Sequence, residues 1–135
     1  MAIANSRFSV AIHSLLILAA YPQRPVSSDF IAASVGTNPV LIRRLMGELR
    51  VAGLVESRAG STGGFVLKKA ASEISLDAVY HAVEESQVFH QHGHPNKQCP
   101  VGNRIKSVCT TVFADAEMAM IENLKTKTIA DLATV

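Results

Sequence analysis

The sequence predicts a mainly α chain with a small β-wing: a winged helix-turn-helix domain followed by a long C-terminal dimerisation helix. Three observations predict it. Apolar residues recur at helical spacing through most of the 135 residues. Two short helical patterns meet at a tight turn around Gly36 and lead straight into a glycine-rich hairpin pattern. From Cys99 to about Leu124 the chain is one uninterrupted helical pattern with more apolar positions than a single contact can use. A hydrophobic content of 48% with 5% aromatic residues and no Trp fits such an aliphatic, helical protein.

The elements follow in order. A first amphipathic helix runs from about Ser6 to Tyr21, and "PQRP" ends it, because proline cannot donate to the helical ladder. A second starts at "VSSDF", with Ser27 or Ser28 as N-cap and Asp29 in the positively polarised first turn. Gly36 stops it with a left-handed turn, and Ala32 lets the next helix approach closely. The third helix restarts at "TNPV", with Asn38 as cap and Pro39 at the first helical position, and continues to Ala52 and Gly53. "LVESR" and "GFVLKK" then read as two strands around "AGSTG". "ISLDAVYHAVEES" is a fourth helix capped by Ser75, burying Leu76, Val79, Tyr80 and Val83. A polar loop leads to a long helix from Cys99 and Pro100 to about Leu124, roughly 35 Å in length. A last short helix starts near Ile129 and folds back. This divides the chain into a winged domain over 1–85, a polar loop over 86–98 and a dimerisation region over 99–135.

Charge is asymmetric. Residues 1–70 hold eight Lys/Arg against three Asp/Glu, whereas the remainder holds five against eight. The basic excess lies in the half that carries the helix-turn-helix, as a polyanion-binding half requires. The apolar run "SVAIHSLLILAAYP" is interrupted by His13 and follows helical spacing, and no stretch reaches the roughly 18 apolar residues of a membrane span. A cytoplasmic protein with reduced cysteines and no membrane partner is the expectation.

On the third helix, Ile42, Leu45, Met46 and Leu49 share one face and form core. The opposite face carries Val40, Arg43, Arg44 and Gly47, with Asn38 at the tip. A helix of this kind fits the major groove, where arginine reads guanine bidentately and short residues permit close approach. Arg58, Ser61 and Thr62 stand at the wing tip, within reach of phosphates or the minor groove. Ser28 and Arg7 are further candidate phosphate contacts. The partner so implied is a double-stranded DNA operator. A winged-helix protein-interaction module is the alternative, since the fold does not itself prove DNA binding. An enzyme is not expected: Cys99 with a loop histidine lacks an acidic or amide orienter.

The stretches "RFSVAIHSLLILA", "GTNPVLIRRLMGELRVAGLVESRAGSTGGFVL" and "ISLDAVYHAVE", with a cysteine before a long helix, resemble the bacterial Rrf2 family of transcription regulators. The resemblance spans nearly the whole chain, and the wing is its most specific part. It implies a homodimer, usually a repressor, whose paired long helices hold two heads over a pseudo-palindromic operator. One departure concerns the wing: family members often place arginine immediately before the first glycine, where this chain has Ala59 preceded by Arg58.

The long helix has two apolar seams, one through Val101, Ile105, Val108 and Val112, the other through Cys109, Phe113, Ala116, Met120 and Leu124. Val101, Ile105, Val108, Val112, Phe113 and Met120 are the candidate dimer contacts. The loop before it, "FHQHGHPNKQC", gathers His90, His92, His94 and Cys99. Cluster-binding members of the family carry three closely spaced cysteines there, and this chain has one. Cys109 lies about 15 Å further along the helix, too far to share a metal or disulfide with Cys99 in one chain. The spacing of the histidines matches no strong metal pattern, so no cofactor is expected, although a metal- or iron-sulfur-responsive regulator using Cys99 and these histidines is an alternative. Cys99 instead suits thiol chemistry: the free N–H groups of Val101 and Gly102 point toward its sulfur and favour thiolate, which makes it the candidate redox-sensing residue.

Overall fold

Helical spacing in the first fifty residues becomes three helices, and what packs them is one aliphatic core. The computed structural model describes residues 6–84 and 87–134. In chain order the elements are α1 (Arg7–Ala20), α2 (Ser28–Val35), α3 (Pro39–Val51), β1 (Val55–Arg58), β2 (Gly64–Leu67), a 3-10 turn (Ala71–Glu73), α4 (Leu76–Val83), α5 (Pro100–Lys125) and α6 (Ile129–Ala133). The chain divides into two units, Met1–Glu84 with Leu124–Val135, and Glu85–Asn123. The expected boundary between residues 85 and 86 falls on residues outside those described.

The first unit is the winged helix-turn-helix. Ser27 is the N-cap of α2, its Oγ accepting from the Phe30 N–H, and Gly36 closes the helix with φ 86°. Asn38 caps α3 by accepting the Leu41 N–H at 2.9 Å. Ala11, Leu15, Leu18, Ile31, Ala32, Ile42, Leu45, Met46 and Leu49 are buried and pack with Leu54, Val55, Val79 and Val83. β1 and β2 pair antiparallel with Val55 opposite Leu67 and Arg58 opposite Gly64.

Two features differ from the sequence reading. The segment after α1 is more than a helix stop. Val26 pairs with Phe65, donating to its carbonyl at 3.0 Å and accepting its N–H at 2.9 Å, so the wing acquires a third strand-like edge. Gly64 makes this approach possible: a Cβ there would stand 2.3 Å from the Val26 carbonyl oxygen.

The second difference is the end of the chain. The expected grouping of residues 99–135 is corrected, because Leu124–Val135 belong with the winged unit. The Leu76 N–H donates to the Lys127 carbonyl and the Ile129 N–H to the Ile74 carbonyl, both at 2.9 Å, and Ile129 is fully buried. Apolar burial of Ile129 and Leu132 against α1 outweighs continuity with the long helix.

The second unit consists of the loop from Gln87 and most of α5. Phe89 stacks on Phe113 with ring centroids 5.2 Å apart. Gln91 Nε2 donates to the Lys106 carbonyl at 3.1 Å and to Thr110 Oγ1 at 2.9 Å. The loop is thus laid along one side of α5. No residue of the 26 in α5 is buried.

Candidate nucleic-acid interface

The buried stripe of α3 fixes which side chains face out. With Ile42, Leu45, Met46 and Leu49 in the core, Val40, Arg43 and Arg44 are exposed on its first two turns, Val40 to 60%. An apolar residue so open at the start of a helix gains nothing from the fold. An open apolar side chain of this kind has the chemistry to contact a thymine methyl. Arg43 Nη1 donates to Ser28 Oγ at 3.3 Å, which brings together two candidate residues from α2 and α3. Arg44 is exposed on the same helix. Asn38 is exposed, and its side-chain oxygen accepts the cap hydrogen bond, which fixes the orientation of its amide.

At the wing tip, Ser61 and Thr62 are exposed. Arg58 Nη2 pairs with Glu56 Oε1 at 3.1 Å, a surface ion pair weak enough for a phosphate to displace. Arg7 is placed differently from the other candidates. Its Nε donates to the Val83 carbonyl at 2.9 Å and its Nη2 pairs with Glu48, tying α1 to α3 and α4. These donors are spent inside the domain. Sequence reasoning saw a basic residue near a helix start but could not see Glu48, 41 positions away. It also passed over Arg24, whose guanidinium lies 5.2 Å from the Tyr21 ring centroid.

Around the cysteines, Cys99 is exposed and Cys109 half-buried. Backbone N–H groups of Gly102, then Val101, hold the Cys99 thiol below its ordinary range, and burial opposes them. Gly102 has little room for a side chain: a Cβ would meet the Asn96 carbonyl oxygen at 2.2 Å, so the loop carbonyl closes over the first turn of α5. His90, His92 and His94 are exposed. Among the described residues no three His, Cys, Asp or Glu side chains converge as metal ligands.

The winged fold, the open arginine face of α3 and the long exposed α5 can be set beside known proteins. The Rrf2 profile, described as an iron-dependent transcriptional regulator, matches residues 4–134. The chain belongs to the Rrf2 family. It is 40% identical over 129 residues, 95% of each chain, to YwnA of Bacillus subtilis, a candidate HTH-type transcriptional regulator. It is 33% identical to protein rrf2 of Nitratidesulfovibrio vulgaris, over 82% of this chain and 72% of the relative. A solved structure of a candidate DNA-binding protein, 38% identical, superposes with a TM-score of 0.78 over 94% of this chain and 98% of its own.

The relatives of this Rrf2 protein are transcriptional regulators rather than enzymes, and it is a DNA-binding transcriptional regulator of that family. Among the described residues no donor set matches the iron named in the family description. Cys99 is the one thiol in the loop, and its neighbours do not converge with it on a common point among the described residues. No helix among the described residues is long and apolar enough to cross a membrane.

Proposed function

We propose that this Rrf2 protein is a cytoplasmic homodimeric repressor that reads a pseudo-palindromic operator through α3 and responds to oxidants through Cys99. The exposed face of α3 supports the DNA reading above all: Val40, Arg43 and Arg44 are presented by a helix whose opposite side is locked in the core. Arg43 and Arg44 read bases, Val40 packs on a base edge, and Ser28, Ser61, Thr62 and Arg58 hold phosphates. The test is binding to a duplex selected from a random pool, followed across salt concentration. Arg43→Ala and Arg44→Ala should each cost about 1 to 3 kcal/mol and relax preference at one base pair. Unchanged affinity and preference in both variants would remove α3 from the interface.

Dimerisation is assigned to the α5 stripe of Val101, Ile105, Val108 and Val112. Val101, Val108 and Val112 are 70%, 44% and 57% exposed. The side carrying Phe113 is already covered by Phe89. A two-fold dimer joined along that stripe carries two recognition helices, one for each half-site.

The redox reading rests on the thiol environment. A Cys99 thiolate attacks a peroxide oxygen; the S–O bond forms as the O–O bond breaks, hydroxide leaves and takes up a proton as water, and sulfenic acid remains. Because the backbone N–H groups lower its pKa, Cys99 should be alkylated at half-maximal rate at a lower pH than the same cysteine in the denatured chain. Rates for Cys99 and Cys109 across pH check this. Coincident profiles for Cys99 in native and denatured protein would leave it an ordinary thiol.

A further inference from the structure

A cleft of about 470 Å³ lies between the α1–α2 connection and the wing tip, lined on one side by Tyr21, Arg24, Val26 and Phe30 and on the other by Ser61 and Thr62. We propose that it seats one phosphate and its deoxyribose from the DNA backbone beside the α3 contact, with Arg24 as the cation. This extends the DNA reading above and rests on it.

Three observations carry the assignment. The first is the state of Arg24 itself. It has no carboxylate partner among the described residues, whereas Arg7 pairs with Glu48 and Arg58 with Glu56. Its guanidinium lies over the Tyr21 ring at 5.2 Å, which orients the group through its face and leaves its in-plane N–H donors for an anion. The second is the apolar floor. Tyr21 and Phe30 meet edge to face at 5.8 Å and 88°, yet remain 38% and 47% exposed. A bare inorganic anion has no use for two half-open rings, but a sugar attached to a phosphate covers them.

The third is continuity. Ser61 and Thr62 line this cleft as well as forming the wing tip, and Val26 and Phe65 hold its two walls together by a pair of backbone hydrogen bonds. The walls are therefore stitched in position before DNA arrives, so little ordering is left to be done on binding. A strand seated in the cleft meets hydroxyls on one side and a guanidinium on the other, a set that recognises phosphate and carries no base information.

The experiment compares wild type, Arg24→Ala and Arg24→Lys for binding to the selected duplex and to a random duplex between low and moderate salt. Arg24 is exposed, so circular dichroism should be unchanged in both variants. For Arg24→Ala the slope of log affinity against log salt should fall by about 1, with equal fold-losses on both duplexes, while Arg24→Lys keeps the slope. An unchanged slope in Arg24→Ala, with Arg43→Ala still relaxing base preference, overturns the phosphate seat and leaves the α3 reading standing. Saturable shifts of the Tyr21 ring resonances by inorganic phosphate, with an unchanged slope, would assign the cleft to a small anion and also overturn it. Absence of salt-dependent duplex binding by the wild type would refute both readings at once.

Discussion

Val112→Glu is expected to give a folded but monomeric protein whose affinity for a two-half-site operator is lower by roughly 100-fold or more, because linking two heads supplies that much avidity. Val112 is 57% exposed in the single chain, so the carboxylate meets water in the monomer and costs the fold little. Across a two-fold axis it would meet an apolar stripe and its own copy, where an unpaired buried charge is not tolerated. Sedimentation gives the assembly state, and duplexes with one or two half-sites about 34 Å apart give the consequence. The variant should bind both duplexes alike. A dimer in sedimentation would place the interface on another surface. Phe113→Glu is the poorer test, since it also removes the ring on which Phe89 stacks and disturbs the loop.

That difference between two neighbouring residues marks what could be read from sequence. Spacing along α5 predicts two apolar seams, but not that one of them is partly used by the preceding loop. The choice depends on Phe89 and Gln91 reaching Phe113, Lys106 and Thr110, contacts between residues 15 or more apart in the chain that leave no periodic trace. Elements set by local rules were legible. Asn38 before Pro39, Gly36 between two helices, and the glycines of the wing each act on backbone geometry within a few residues. Contacts that close over distance were not. Arg7 finds Glu48, and Val26 joins Phe65. For the exposed face of α3 the core stripe was enough, since burying one side of a helix dictates the other. Arg24 has no such neighbour pattern, and only the fold brings it opposite Ser61 and Thr62.

The link between Val26 and the wing also sets the substitution expected to harm the fold most. In Gly64→Ala the new methyl would stand 2.3 Å from the Val26 carbonyl oxygen, 2.5 Å from its carbon and 2.9 Å from the Ser27 nitrogen. All three are backbone atoms, so no side chain can swing aside. The φ of 154° adds strain of about 1 to 3 kcal/mol for a residue with a Cβ. Relieving the clash means separating the α1–α2 segment from β2 and losing both Val26–Phe65 hydrogen bonds, worth about 1 kcal/mol each. A loss of about 3 to 5 kcal/mol is a large share of the roughly 5 to 15 kcal/mol that holds a domain together. Urea denaturation measures it, and Gly60→Ala is the control. Gly60 has a φ of 111° but nothing within 4 Å of its Cβ position, so that variant carries backbone strain without the clash. Gly64→Ala should therefore unfold at a clearly lower urea concentration than Gly60→Ala. Equal losses would mean that the wing is held by its own hairpin alone, with no contribution from the strand edge at Val26.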